Sequence, residues 1–230
     1  MTPAQLPSQL PLDLPHRVAV GREDFLVADA NRAAVALVDT WPDWQTPAAM
    51  LVGPPGAGKS HLGAVWKTAS RAVALDASEL EEARVPALCA AKAVLLEDTD
   101  ELLPEAEPAL FHLINLIKEE GGHLLMTSKV GPAELNIHLP DLSSRLRAVV
   151  TAELGTPDDE LLRAVLEKLF QDRQLVAPEP ALRYLATHMD RSIEAARTLV
   201  AAIDQAALAD KRRITVPLVA EVLKSATPSS

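Results

Sequence analysis

Cysteine is almost absent. Cys89 stands alone in 230 residues, which excludes a fold held together by intramolecular disulfides. Long apolar runs are missing as well, none reaching the roughly 18–20 residues that a membrane span requires. The first residues are polar and proline-rich and lack the basic-then-apolar order of a secretory leader. Positive charge is scarce: 22 Lys and Arg face 32 Asp and Glu, a net charge of −10. Proteins that hold DNA by its phosphates draw most of their affinity from neutralising them, so tight DNA binding by this chain alone is disfavoured. Its one short basic run, Lys211-Arg212-Arg213, reads as a solvated helix end whose cations oppose the helix dipole. A local DNA contact is the other reading. Together these absences predict a soluble cytoplasmic protein in a reducing compartment, with no membrane association.

What is present is apolar material, 48% of the residues, enough for one sizeable core and a small satellite. Residues 1–16 carry four prolines and no helical period, and read as an extended or disordered tail. From Arg17 onward, helical and strand patterns alternate. Helices are predicted at 31–40, 59–69 and 109–120, the last stopped by Gly121-Gly122. Short, continuously apolar strands are predicted at 48–52, 72–75, 93–96, 123–127 and 148–151. Buried strands separated by helices imply an α/β fold, a parallel sheet flanked by helices on both faces. Past Glu153 the strands stop. Thr156-Pro157-Asp158-Asp159 opens the first of four predicted helices, at 158–171, 180–188, 192–211 and 216–224. The chain thus divides into a tail (1–16), a sheet domain (17–152) and a small all-α C-terminal lid domain (153–230).

Between the first predicted strand and the next helix lies Gly53-Pro54-Pro55-Gly56-Ala57-Gly58-Lys59-Ser60. It matches G-x-x-x-x-G-K-[ST] in the strand–loop–helix setting of a P-loop NTPase. Glycines bring the backbone close to phosphates, and the N–H groups of the loop and helix start meet the anion. Lys59 is expected to reach the β and γ phosphates and Ser60 to ligate Mg²⁺. Val94-Leu95-Leu96-Glu97-Asp98 ends a strand in two acids, candidates to hold that metal and to stay ionised beside it. Thr127-Ser128 at the end of the fourth strand is either a water-positioning pair or a plain exit into a turn.

In order, these pieces resemble the DnaA-like AAA+ ATPases, the replication initiators and their relatives, over about 17–223. Arg22-Glu23-Asp24-Phe25-Leu26-Val27, followed by Asn31, is similar to the family segment that lines the adenine pocket, which implies base contacts from Phe25, Leu26 and Val27. Residues 53–60 with His61-Leu62 resemble Walker A, and Leu95-Leu96-Glu97-Asp98 resembles Walker B. The run 124–128 resembles sensor I, implying roles for Thr127 and Ser128. Leu142-Ser143-Ser144-Arg145-Leu146 is similar to the segment that carries the arginine finger, implying Arg145, and Asp190-Arg191-Ser192-Ile193-Glu194-Ala195 to the start of the lid helix, implying Arg191 as sensor II. Taken alone, Arg145 reads as a surface or salt-bridged arginine. The sequence departs from the initiators in four respects. The initiators' DNA-binding helix-turn-helix would be expected after the lid, where the sequence stops at Ser230, and the stretch 75–94 is shorter than the initiators' helical insertion. Glu97 stands where Asp is usual, and Lys129 where an acid follows Thr-Ser.

The tail holds Gln9-Leu10-Pro11-Leu12-Asp13-Leu14, which resembles the Q-L-x-L-x-L peptides that bind the bacterial sliding clamp. An extended segment with a Gln amide for register and leucines for an apolar pocket suits such docking. Gln9, Leu10, Leu12 and Leu14 are the candidate contacts, against the plainer reading of a proline- and leucine-rich leader. The combination resembles the branch of the family that switches the initiator off. That resemblance implies ADP or ATP with Mg²⁺ as cofactors, and two partners: the clamp (the beta subunit of the DNA polymerase) and a DnaA-type initiator. DNA would be met only through the clamp. It also implies stimulated hydrolysis of initiator-bound ATP, with Arg145 and Asp98 as the catalytic residues. A homo-oligomer and a weak ATPase activity of its own stay open. The rival expectations are a helicase loader or transposition helper, and a small-molecule kinase built on the same P-loop.

Overall fold

The computed structural model describes residues 25–210 and 212–226. The tail, the candidate clamp peptide Gln9, Leu10, Leu12 and Leu14, the stretch Arg22-Glu23-Asp24 and Lys211 lie outside the described residues. Five strands form one parallel sheet: β1 (Ala48–Val52), β2 (Val73–Asp76), β3 (Ala93–Glu97), β4 (His123–Ser128) and β5 (Val150–Glu153). Their order is β2-β3-β4-β1-β5, so β1 lies between β4 and β5 and delivers the loop that follows it to an interior position on the sheet's C-terminal edge.

Alternation along each strand builds two apolar layers. Met50, Leu96 and Met126 point to one face, where α3 (Val85–Ala90), α4 (Glu107–Glu119) and α5 (Pro140–Arg147) supply Leu88, Leu110, Leu113 and Leu146. Leu51, Leu95 and Leu125 point to the other, covered by α1 (Arg32–Asp39) and α2 (Lys59–Ser70) through Val35, Val38, Leu62 and Trp66. Each such side chain is fully or nearly fully buried, worth about 1.5–3 kcal/mol apiece.

Two strands begin later than the sequence predicts. Arg71 adopts φ +58° and Ala72 N–H still bonds back to Lys67 O at 3.1 Å, so β2 starts at Val73. Ala148 and Val149 close α5 through bonds to Arg145 O (3.0 Å) and Leu146 O (3.2 Å), so β5 starts at Val150. Helices α3 and α5 add to the helices that the sequence predicts.

The lid is built of α6 (Asp159–Asp172), α7 (Glu179–His188), α8 (Ile193–Asp210) and α9 (Val216–Ala226). The Asp158 side chain caps α6 by accepting from Leu161 N–H at 2.7 Å. Leu162, Leu166, Phe170, Leu185, Val200 and Ile203 make a separate core. Among the described residues, no helix is long and apolar enough to cross a membrane.

Candidate nucleotide-binding site

The chain leaves β1 through a passage that only glycine fits. Gly53 N–H donates to Ser128 O at 3.1 Å, and a Cβ on Gly53 would lie 2.3 Å from Leu154 O. The loop then turns through Gly56 (φ +76°) and Gly58 (φ +101°), the left-handed region that glycine enters without penalty. Helix α2 begins at once with Lys59, so its first unpaired N–H groups face the space above the loop. Lys59 is 7% exposed and its Nζ donates to Gly53 O (2.7 Å) and Pro54 O (3.1 Å). Burial pulls the lysine pKa below its ordinary value, while Asp98 and Asp100 pull it back up.

A cavity of about 610 Å³ opens over this loop. Pro55, Gly56, Gly58, Lys59, Ser60 and His61 form its floor, Asp98 and Lys129 its wall at the strand ends, and Ile193, Glu194 and Arg197 its roof from the lid. Of the remaining P-loop residues, Gly53 and Pro54 give their carbonyls to Lys59, while Ala57 and Leu62 are buried in the apolar layer between α2 and the sheet. Lys59, Lys129 and Arg197 against Asp98 and Glu194 leave the lining cationic. A polyphosphate carrying a divalent ion suits that donor set.

The two acids after β3 part company. Glu97 shares the strand face of Ala93 and Leu95, toward α2, and does not line the cavity. Asp98 does. It sits in the turn beyond the strand at φ +51°, with its N–H bonded to Thr127 Oγ1 at 3.0 Å. Burial holds its carboxyl pKa above the ordinary aspartate value, and Lys129 offsets this only in part. Of the three residues expected to hold metal, Ser60 and Asp98 therefore meet at one cavity and Glu97 stands on the α2 side. Thr127 and Ser128 are fully buried and line no part of it. Thr127 instead positions Asp98, and the Ser128 hydroxyl donates to Val130 O at 2.7 Å within its own turn.

The lid side holds the largest difference from expectation. Arg191 is 54% exposed and turned away, bonded to Asp159 Oδ1 at 2.5 Å and to Pro157 O at 3.4 Å. It precedes α8, and its side chain folds back onto the start of α6. Arg197 lies one turn beyond Ile193 on the same helix face and lines the cavity, 2.5 Å from His61 Nδ1. That i, i+4 spacing is the signal that could have found it. Ile193 N–H donates to Gly56 O at 2.9 Å, so the lid is anchored on the P-loop itself. On the opposite flank, Phe25 stacks on His61 (5.3 Å between ring centres). Leu26 O accepts from Asn31 Nδ2 at 2.9 Å, and Val27 is half exposed. None of these three lines the cavity; Phe25 reaches its edge through His61.

Residues 158–223 match the family model described as "Hda, lid domain". That match spans the lid alone, and the chain as a whole has the AAA+ fold, a parallel sheet with a helical lid. Solved structures agree on the fold. Domain III of the Thermotoga maritima replication initiation protein DnaA is similar at TM-score 0.79 and 17% identity, covering 94% of this chain and 100% of that one. DnaA bound to AMPPCP and single-stranded DNA is similar at TM-score 0.70 and 16% identity, over 85% of this chain and 69% of that one. The Thermotoga maritima RuvB Holliday junction branch migration motor follows at TM-score 0.64 and 16% identity, over 77% and 61%.

On the sheet body Arg145 lies in α5, exposed, with its guanidinium 5.1 Å above the Phe111 ring of α4. It does not line the body's own cavity. Helix α5 is pinned at its start by Glu107, the first residue of α4. Its carboxylate, only 3% exposed, accepts from His138 N–H (2.9 Å), His138 Nδ1 (3.0 Å) and Leu139 N–H (2.6 Å). Burial raises the carboxyl pKa, but these donors outweigh it and hold the value below the ordinary glutamate range. Glu107 and Phe111, one turn apart on α4, thus fix both the entry of α5 and the arginine it carries.

Proposed function

We propose that this chain is a DnaA-related regulator of replication initiation that binds adenine nucleotide and promotes hydrolysis of the ATP held by a DnaA-type initiator. The observation that carries the reading is the separation of its two arginines. Arg197, on an Hda lid, faces the chain's own P-loop cavity, while Arg145 stands exposed on α5 and outside it.

In its own site, Lys59 and the N–H groups of residues 56–60 would bind the phosphates of ADP or ATP. Arg197 would take the sensor II role first assigned to Arg191. A bound Mg²⁺ supplies charge neutralisation along the phosphates, and Ser60 and Asp98 are the cavity-lining groups suited to hold it. Gln9, Leu10, Leu12 and Leu14 would dock the chain on the sliding clamp, so that the acidic chain meets DNA only through that partner. In the partner's site, water attacks the γ phosphorus in line, the bond to the bridging oxygen breaks, and ADP leaves with the added charge. The Arg145 guanidinium would neutralise charge that grows only in that transition state. Arginine fingers supplied in trans are worth about 10³ or more in rate.

The test is an assay of initiator-bound ATP in the presence of clamp, DNA and this protein. Arg145→Ala should lose nearly all stimulation while retaining ADP affinity and clamp binding. Arg145→Lys should be poor too, because an ammonium lacks the planar forked donor set. Stimulation by Arg145→Ala equal to that of the wild type would refute the assignment.

A further inference from the structure

We propose that Glu107 and His138 are positioning residues for Arg145: their clasp sets the tilt of α5, and so the point in a partner's site that the Arg145 guanidinium reaches. This role rests on the reading of Arg145 as a finger supplied in trans, and adds how the chain aims that finger.

Glu107 is a buried acid with no part in the nucleotide cavity. Among the described residues it is the one buried carboxylate, 3% exposed, and it lines no part of that cavity. A carboxylate withdrawn from water costs several kcal/mol unless its lone pairs are met. One short stretch of chain meets them. Oε1 faces His138 N–H at 2.9 Å and Nδ1 at 3.0 Å, while Oε2 accepts from Leu139 N–H at 2.6 Å and shares His138 N–H at 3.1 Å. Burial alone would raise the carboxyl pKa, and these donors outweigh it, so the bonds are of the stronger, charge-assisted kind. The His138 side chain is otherwise 62% exposed, so burial of the imidazole does not force the contact.

Helix α5 does not orient itself. Its 8 residues make about two turns, too few for a helix to stand alone in water. Pro140 opens it with no N–H to offer, and Leu139 at its N-cap supplies no side-chain cap. Glu107 does from α4 what a capping side chain does locally, fixing the backbone where the helix begins. The fully buried Leu142 and Leu146 fix how α5 rolls on the sheet body. The clasp fixes the direction from which it enters. Arg145 stands in the last turn, about 9 Å along the axis from Leu139 at 1.5 Å per residue. A tilt of about 10° at the clasp therefore moves the Arg145 backbone by about 1.5 Å. A misplacement of about 1 Å can cost about 10²-fold in rate where groups must be aligned to react.

The experiment measures hydrolysis of initiator-bound ATP with clamp and DNA, over a range of concentrations of each variant of the full chain. Glu107→Gln should lower the maximal stimulated rate about 10-fold or more, and His138→Ala, which keeps both backbone donors, about 3-fold. The concentration giving half the maximal rate should stay within about 2-fold of the wild type, because an aiming group acts on the reaction step and not on association. His138→Asn, whose amide N–H stands where Nδ1–H stood, should restore most of the rate. ADP affinity and clamp binding near those of the wild type show an intact body. Adding Glu107→Gln to Arg145→Ala should cost nothing further, since a positioning residue works only through the group it positions. If Glu107→Gln fails to fold, the contrast between His138→Ala and His138→Asn carries the test. A wild-type maximal rate in both Glu107→Gln and His138→Ala overturns the proposal. So does a full additional loss in the double variant, or a change confined to the half-maximal concentration. If Arg145→Ala alone stimulates like the wild type, the finger reading itself fails and the clasp has nothing to aim.

Discussion

Single residues decide how an anion is held here, and two arginines that look alike in the sequence are separated by their surroundings. Lys59 is buried beneath the cavity, where its charge is weakly screened. Lys59→Ala should weaken ADP and ATP binding about 10- to 100-fold or more, as expected for losing a charge-assisted contact in a partly desolvated site. Arg197→Ala should cost roughly 10-fold by the same reasoning. Arg191→Ala should leave affinity within about 2-fold, because its guanidinium is spent on Asp159 and Pro157 at the surface. Titrating each variant with a fluorescent ADP analogue separates the two arginines, and a larger loss at Arg191 than at Arg197 would reverse the assignment. The contrast also marks what a sequence can reveal. The P-loop is legible because its parts are contiguous and its chemistry is backbone geometry. Lys129 and Arg197 reach the cavity only after β4 has paired beside β1 and the lid has bonded to Gly56 O, and no local pattern encodes those long-range contacts.

Elements were legible in proportion to their length and to how completely they are buried. Strands such as β1 and β3 are apolar throughout because both of their faces are covered, and the long helices of the lid repeat their apolar positions over several turns. Helices α3 and α5 have 6 and 8 residues, too few turns for a period to stand out. Helix α5 is instead defined by tertiary contacts, chiefly the Glu107 carboxylate that gathers the donors of His138 and Leu139. Glu107→Gln replaces an ionised acceptor by a neutral amide and leaves at least one buried donor poorly met. The expected loss is about 1–3 kcal/mol of stability. The pH dependence follows from the lowered carboxyl pKa. A group whose pKa is depressed by folding stabilises the native state above the ordinary glutamate range. That contribution is lost as pH falls through the depressed value. Urea unfolding of wild type and Glu107→Gln should differ most near neutrality and converge in acid. A difference that grows on acidification would show that the donors do not favour the carboxylate form.

At the scale of the whole molecule, the sheet body and the lid have separate apolar cores, and polar contacts around the cavity join them. Ile193 N–H bonds to Gly56 O, Arg197 meets His61, and a Cβ on Gly56 would fall 2.2 Å from Ser192 Oγ, so the lid helix rests directly on the P-loop backbone. A ligand in the cavity touches both parts at once and binds only their native arrangement. At 100 times its Kd such a ligand adds about 2.7 kcal/mol to stability. For a chain of this size, each kcal/mol moves Tm by about 2–4 °C, so saturating ADP should raise the melting temperature by about 5–10 °C. Arg197→Ala, at the same ADP concentration, loses roughly 10-fold in affinity, or about 1.4 kcal/mol. Its ligand-induced rise should therefore be about 3–5 °C smaller, while its melting temperature without ligand stays near that of the wild type. Scanning calorimetry with and without ADP and Mg²⁺ measures both. If ADP sharpens and raises only the transition of the sheet body, leaving a separate lid transition unmoved, the nucleotide does not bridge the two parts. If Arg197→Ala shows the full wild-type rise, the roof of the cavity takes no part in holding the ligand.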